Sequence, residues 1–411
     1  LGARPRKKHN KSSDLGLGIS NYRRIVGKYL QELLTSHIEM KKTLLFIFGT
    51  RPEAIKMAPV IRYFQQYPDR WQVQVCVTAQ HREMLDQVLD FFEIKPNFDL
   101  NLMMANQGLS QLTARILEHL APVMQAVQPD IVFVQGDTTT AFAASLSAFY
   151  HGCSIAHIEA GLRSGNIMSP FPEEANRILT GHLARWHFAP TSGAASHLHK
   201  EGITENVFVT GNSVIDALLS GIEILKHKTL PHPIRIPEGK RLILVTGHRR
   251  ESFGAPFEAI CLALKRIADT YPDVHILYPV HLNPNVQEPV YRLLGDTPNI
   301  QLCGNLSYPE LLKILSDCYL VLTDSGGIQE EAPALGKPVL VMREVTERQE
   351  GIDAGTAMLV GTDPELIFSE AARLLDDVNA YQTMAKATNP YGDGTTAKQI
   401  ESILHAEFYP G

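Results

Sequence analysis

The amino-acid sequence predicts an α/β protein of two doubly wound, parallel-sheet domains. Three observations predict it: the length, an alternation of short apolar runs with amphipathic ones, and the restart of that alternation half-way along. At 411 residues the chain exceeds what one hydrophobic core ordinarily organises, so two domains are the natural division. From Lys41 onward, strand-sized apolar runs at Thr43 to Phe48, Val73 to Thr78, Asp130 to Val134 and Ser154 to Ile158 read as strands buried on both faces. Between them Met84, Leu85, Val88, Leu89 and Phe92, then Leu112, Ile116, Leu117 and Leu120, recur at helical spacing. Strands alternating with helices make a parallel sheet covered on both sides. Pro59, inside the helical run Glu53 to Gln66, removes a backbone hydrogen bond and predicts a kink or break there.

The alternation restarts after the turn Thr210-Gly211-Asn212, with strands expected at Leu242 to Val245, His275 to Tyr278, Tyr319 to Thr323 and Pro338 to Val341. The first domain is therefore expected over 41–211 and the second over 212–394. The cluster Asn389-Pro-Tyr-Gly-Asp-Gly394 is a dense turn signal before a last helical run that ends near Phe408. Two such domains imply a ligand cleft at the carboxyl ends of both sheets.

Hydrophobic residues make up 44% and charged residues 20% of the chain, as in globular proteins. No apolar run approaches the ~18 residues that a membrane span needs. Residues 1 to 40 carry eight Lys and Arg against three acids, a net +5, so the rest of a chain whose formal charge is −6 is markedly acidic. An acidic body argues against nucleic-acid or acidic-membrane partners and leaves anionic ligands to a few placed cations. The basic leader lacks the apolar core of a signal peptide. It is expected to be expression-derived or disordered, so that deleting residues 1 to 39 leaves activity intact. Cys76, Cys153, Cys261, Cys303 and Cys318 are odd in number and show no CxxC, which suits reduced thiols in a cytoplasmic protein.

Candidate site residues cluster at predicted strand ends. Phe48-Gly49-Thr50-Arg51-Pro52-Glu53-Ala54-Ile55-Lys56 is a strand, a glycine turn and a proline-opened helix; Arg51 and Lys56 there suit either a phosphate seat or a plain surface turn. Asp137, after Gln135-Gly136, is either a helix cap or an acid facing a cleft. Glu159 repeats the placement in His157-Ile-Glu159-Ala-Gly161-Leu-Arg163, and Glu173 follows Pro170-Phe-Pro172. Three carboxylates gathered in one cleft would shift each other's pKa values, supplying both acid and base. In the second domain, Thr246-Gly247-His248-Arg249 follows one strand and Thr323-Asp324-Ser325-Gly326-Gly327 another. The paired glycines let backbone approach a diphosphate at a helix start. Glu331 could accept from ribose hydroxyls or simply be solvated, and Arg343 could reach the same anion or serve an ion pair.

No metal or other cofactor is expected. The 16 histidines include no HExxH, and His182, His187 and His197-Leu-His199 lack carboxylates at ligand spacing. A nucleophile elbow and a P-loop are also absent.

Together these stretches resemble the bacterial non-hydrolysing UDP-N-acetylglucosamine 2-epimerase family, from about Lys41 to near the end. The resemblance rests on FGTRPEAIKMAP from Phe48, TAQHREMLDQVL from Thr78, GDTTT from Gly136, HIEAGLRSG from His157 and PFPEEANR from Pro170. It continues through VTGHRRESFG from Val245, PVHLNPNV from Pro279, TDSGGIQEEAPALGKPVLVMR from Thr323 and NPYGDG from Asn389. It implies a GT-B-like fold of two Rossmann-like domains, usually a homodimer, with the C-terminal helix at about 395–411 packing back on the first domain. Asp137, Glu159, Glu173 and His248 fall where that family places catalytic groups. Arg51 and Lys56 match substrate-binding positions; Ser325, Gly326, Gly327 and Glu331 would hold diphosphate and ribose, with Arg343 close by. Leu306 to Leu311 would border the uracil through backbone. Gln80, Arg249 and His281 match an activator site for a second UDP-N-acetylglucosamine, although Glu83 and Asn106 depart from some activator-dependent relatives.

The implied reaction is reversible epimerisation at C2 between UDP-N-acetylglucosamine and UDP-N-acetylmannosamine, through elimination of UDP to 2-acetamidoglucal and re-addition. A hydrolysing epimerase that releases free N-acetylmannosamine, a GT-B glycosyltransferase and a UDP-sugar binding protein are the competing expectations.

Overall fold

The computed structural model describes residues 2, 41–79, 82–102, 104, 107–228 and 236–410. The basic leader, Gly2 apart, lies outside the described residues, as do Gln80 and Asn106. In the first half, β1 (Lys42–Phe48), β2 (Trp71–Val77), β3 (Phe98–Asp99), β4 (Ile131–Gln135), β5 (Ser154–Ile158), β6 (Trp186–Ala189) and β7 (Val207–Val209) form one sheet. Its order is β3-β2-β1-β4-β5-β6-β7, and each neighbouring pair is parallel. The apolar runs explain the core strands: all five residues of β4 are buried, since helices cover both faces. Register then places Phe46 beside Phe133, and their rings stack at 4.4 Å with Phe64 edge-on to Phe133 at 5.6 Å.

The second sheet holds β8 (Arg241–Thr246), β9 (Val274–Pro279), β10 (Ile300–Cys303), β11 (Leu320–Thr323), β12 (Val339–Val341) and β13 (Ala357–Leu359). It too is parallel, in the order β10-β9-β8-β11-β12-β13. In both sheets the strand order reverses direction beside the first strand of the unit, between β1 and β4 and between β8 and β11. Such a switch point opens a crevice outside the strands' carboxyl ends. The molecule is thus a GT-B-like pair of Rossmann-ordered sheets.

Of the kink or break expected at Pro59, the break does not occur. The helix Arg51–Phe64 runs through it with Met57, Ala58, Val60, Ile61 and Phe64 fully buried. Burying a large aliphatic or aromatic side chain is worth roughly 1.5–3 kcal/mol, so this face outweighs one missing hydrogen bond.

Between the sheets the chain crosses twice, side by side. Asn212 N donates to Tyr391 O at 2.7 Å. Gly211 has φ +85°, and a Cβ there would sit 3.2 Å from both Gly392 Cα and Tyr391 O. After the first crossing, Val214, Ile215, Ala217 and Leu218 of the helix Ser213–His227 join the core beneath the first sheet. After the second, Ala397, Ile400 and Leu404 of the helix Thr396–Phe408 do the same, and Trp71 Nε1 donates to Glu401 at 3.0 Å. No helix among the described residues is long and apolar enough to cross a membrane.

Candidate active site

At the first switch point, the turn after β1 is fastened to the turn after β4. Thr50 caps the helix Arg51–Phe64 in a capping box with Glu53. The buried Glu53 carboxylate also accepts from Gly49 N at 3.1 Å, Thr50 N at 2.8 Å and Thr138 Oγ1 at 2.6 Å. Thr138, not Asp137, caps the next helix, accepting from Ala141 N at 3.0 Å. Asp137 is therefore free to face the cleft, where Arg177 pairs with it. Arg177 also bonds Glu174 at 3.2 Å, and Asn176 holds the Asp137 carbonyl at 2.9 Å. Beneath them His157 meets the Gly136 carbonyl at 2.8 Å; burial drives its pKa down to about 3, so the imidazole is neutral and donates.

Glu159, one residue past β5, has a left-handed backbone, φ +62°. Such a conformation costs a non-glycine residue of order 1–3 kcal/mol and is tolerated where surroundings over-determine it. Here they do: its carboxylate pairs with Lys56 and accepts from Asn212 Nδ2 at 3.1 Å. Burial opposes the charged form, but Lys56, Arg348 and the Asn212 hydrogen bond outweigh it, so the pKa falls below the ordinary value. The mutual repulsion expected among the three acids is thus not what sets Glu159; each cleft acid described so far has its own cation.

On the second sheet, Thr246 and Thr323 meet at 2.6 Å across β8 and β11. Asp324, at the end of β11, reaches over the switch point to accept from His248 N at 2.6 Å and Arg249 N at 2.7 Å. His248 stacks on His281 at 5.3 Å; burial, ahead of the opposing Asp324 charge, lowers its pKa. Ser325 opens the helix Gly326–Ala334. The Gly326 and Gly327 N–H groups have no acceptor among the described residues, leaving the positive helix end for an anion.

The two edges face each other across a cleft of about 560 Å³ lined by Asp137, Glu159, Arg177, Arg249, Ser325, Gly326, Gly327, Arg343 and Arg348, among others. A neighbouring cavity of about 410 Å³ runs beneath Thr50, Lys56 and Gln135 and shares Asp137 and Glu159 with it. Asp137, Glu159 and Arg177 stand on one wall, and the helix N-terminus at Ser325 with Arg249, Arg343, Arg348, Glu251 and Glu347 on the other. Among the described residues no three His, Cys, Asp or Glu side chains gather to hold a metal ion.

The family described as UDP-N-acetylglucosamine 2-epimerase matches residues 65–405. The chain belongs to the UDP-N-acetylglucosamine 2-epimerase family. A UDP-N-acetylglucosamine 2-epimerase of Salmonella typhimurium is 55% identical over 368 residues, 88% of this chain and 98% of its own length. The crystal structure of UDP-GlcNAc 2-epimerase from Neisseria meningitidis bound to UDP-GlcNAc is 47% identical, with a TM-score of 0.79 over 88% of this chain and 99% of that one. The enzyme of Methanocaldococcus jannaschii in complex with UDP-GlcNAc and UDP is 31% identical, with a TM-score of 0.70 over 88% and 99%.

Within this epimerase-family frame the residues singled out from sequence divide into groups. Asp137, Glu159, Ser325, Gly326, Gly327, Arg249 and Arg343 line the cleft. Lys56 is held by Glu159 and lines the adjoining cavity. Arg343 lines the cleft and is also an ion-pair partner, bonded to Glu251 at 2.7 Å and Glu347 at 2.8 Å. Arg51, Glu331 and Tyr308 form a separate group at the contact between the halves; Glu331 opposes the fall in the Arg51 pKa that burial causes. Tyr308 lies in the segment expected near uracil and packs against Phe91 and Phe92. Glu173 starts the helix Glu173–Leu183 half-buried, with no partner among the described residues, whereas its neighbour Glu174 is buried and accepts from Ser164 N at 3.0 Å. Sequence reasoning passed over Asp324, Arg177, Asn212, Glu330 and Arg348. Asp324 carried a readable signal, an acid directly after a buried strand, the same as Asp137; Arg348 carried none.

Proposed function

We propose that the protein interconverts UDP-N-acetylglucosamine and UDP-N-acetylmannosamine without releasing free sugar. The observation that carries this reading is the facing of Asp137 and Glu159 on one wall with the helix start at Ser325 to Gly327 on the other, across one cleft. The C2 hydrogen of the sugar is not adjacent to a carbonyl, so simple enolisation is closed to it. Elimination is open: a carboxylate takes the C2 proton while the C1–O bond breaks and its electron pair leaves with UDP. The product is 2-acetamidoglucal. Re-addition of UDP at C1, with a proton delivered to the opposite face of C2, gives the epimer and restores every atom. Charge developing on the departing diphosphate meets preorganised N–H groups and guanidinium.

In this reading Asp137, Glu159 and Glu173 share the roles of acid, base and oxocarbenium stabiliser, with His248 at the cleft edge. Glu331 takes the ribose, and Arg51 with Leu306 to Leu311 borders the base. Arg249, whose buried Nε has no partner, and His281 are the positions for a second nucleotide sugar. Gln80, the third, lies outside the described residues. A cytoplasmic homodimer completes the reading, and sedimentation tests the dimer.

The deciding experiment is an NMR time course of UDP-N-acetylglucosamine with the protein in deuterated water. Both UDP-sugars should appear, carrying deuterium at C2. Retained protium would refute elimination, and accumulation of free N-acetylmannosamine would favour the hydrolysing alternative.

A further inference from the structure

A buried chain of four charges runs through the cleft floor from one half of the molecule to the other. Lys56 pairs with Glu159 in the first half, and Arg348 Nε bonds Glu330 Oε1 at 2.6 Å in the second. The Glu159 and Glu330 side chains are only 9% and 3% exposed, so these carboxylates have little water to satisfy them. One amide joins the two pairs: Asn212 Nδ2 donates to Glu159 Oε2 and to Glu330 Oε2, each at 3.1 Å. Asn212 sits on the first crossing between the sheets, and its own N–H is bonded to the second crossing at Tyr391 O. Around Glu330 the same half-molecule contact is closed by Asn389 Nδ2 on the Glu330 carbonyl at 3.1 Å, and by Tyr391 Oη, which donates to the Arg348 carbonyl at 3.1 Å.

We propose that Asn212 is a positioning residue of the reaction, an amide clip that holds the Glu159 carboxylate in its productive rotamer only when the second half of the molecule presents Glu330 and Arg348. The inference rests on Glu159 being one of the acting carboxylates. The two pairs carry two positive and two negative charges, so the assembled chain is neutral and can be buried. Without the second half, Asn212 Nδ2 loses its other acceptor, Glu330 Oε2, so the amide that meets Glu159 Oε2 alongside Lys56 is no longer held in one orientation. A left-handed backbone at Glu159 puts the carboxylate where the clip can reach it, which gives the strained conformation a use. Misplacing a reacting group by about 1 Å can cost about 10²-fold in rate.

Asn212 also caps the helix Ser213–His227 by accepting from Val214 N at 3.1 Å, so a plain truncation would confound two roles. Asn212→Ser keeps a capping oxygen, since Ser and Asn cap about equally well, but is too short to bridge. Asn212→Asp keeps the cap and places a carboxylate against two others. Both variants should fold, with kcat for UDP-N-acetylglucosamine down by about 10- to 100-fold and KM and UDP affinity nearly unchanged. The acid limb of kcat/KM should move to higher pH in Asn212→Ser, because a donor to ionised Glu159 has gone; a capping defect alone would leave that limb in place. Glu159→Gln is measured alongside. If Glu159→Gln is crippled while Asn212→Ser keeps wild-type kcat and pH profile, the clip is refuted and the carboxylate assignment stands. If Glu159→Gln itself turns over normally, both fall.

Discussion

Burial strips water from the Glu331 carboxyl and Glu330 beside it adds repulsion; together these outweigh Lys56 and Arg51 and push its pKa up to about 8 from an ordinary 4.5. The folded state therefore holds this proton more tightly than the unfolded chain does. Its contribution to stability is intact below about 4.5, declines as pH rises, and is fully lost above about 8. Glu331→Gln removes the titration, so its melting temperature should exceed that of the wild type by a margin that widens between those limits and is constant beyond them. A margin independent of pH in parallel melts would show that the acid is not shifted. Asp137→Asn and Glu159→Gln address the chemistry instead. Each should lose about 10² to 10⁴ in kcat, the ordinary worth of a general acid or base, while calorimetric UDP affinity is kept. The small effect of either on UDP follows from the cleft's layout, with Asp137 and Glu159 on the opposite wall from the helix start.

Two glycine turns look alike in sequence and differ as elements. At Gly327 an added Cβ would meet only Glu331 Oε2, at 3.9 Å, which is ordinary contact. Gly327→Val should fold with nearly wild-type stability yet bind UDP at least about tenfold more weakly, because the new side chain occupies the approach to the helix start. Unchanged affinity would move the diphosphate elsewhere. At Gly49 the added Cβ would overlap Thr78 Oγ1 and lie 2.9 Å from Thr140 Oγ1, two buried hydroxyls bonded to each other at 3.1 Å. Gly49→Ala should cost about 1–3 kcal/mol in urea unfolding, as overpacking does. The glycine of the first turn thus serves the packing of strand against helix, and that of the second leaves room for a ligand.

For the whole molecule, two chain segments meet between the halves, and Gly211 is where they touch. Gly211→Ala places a Cβ 3.1 Å from Thr396 Oγ1 and 3.2 Å from the second crossing, on a backbone with φ +85°. Gly239→Ala is the control, since it too has a positive φ, +76°, but opens onto empty space. Gly211→Ala should melt lower than the control and raise KM for UDP-N-acetylglucosamine, which needs both walls of the cleft. Equal melting temperatures and KM values would show that the contact between crossings carries no strain.

Much of this architecture was legible because its causes are local. The apolar runs of β1, β4, β5, β8, β9 and β11, the helical spacing between them and the glycines at strand ends are properties of neighbouring residues. They placed Asp137, Glu159 and the Ser325 to Gly327 turn at strand ends correctly. Five short strands escaped, β3, β6, β7, β10 and β13, of two to four residues each, although β12, of three, was read. Pro59 did not break its helix because its cost is local, whereas the packing that overrides it comes from the sheet. Likewise nothing near Asp137 in the chain shows that Arg177 will pair with it, or that Asn212 will join Glu159 to Glu330 118 positions away. By itself, then, the sequence determined two Rossmann-ordered units, the strand ends that carry chemistry and the family. Which carboxylate is paired with which cation, which acid is left half-buried and alone, and how one half of the cleft completes the other were decided only by the tertiary structure. Desolvation and charge pairing depend on distances between residues far apart in the chain, and those distances exist only once the sheets have formed and faced each other.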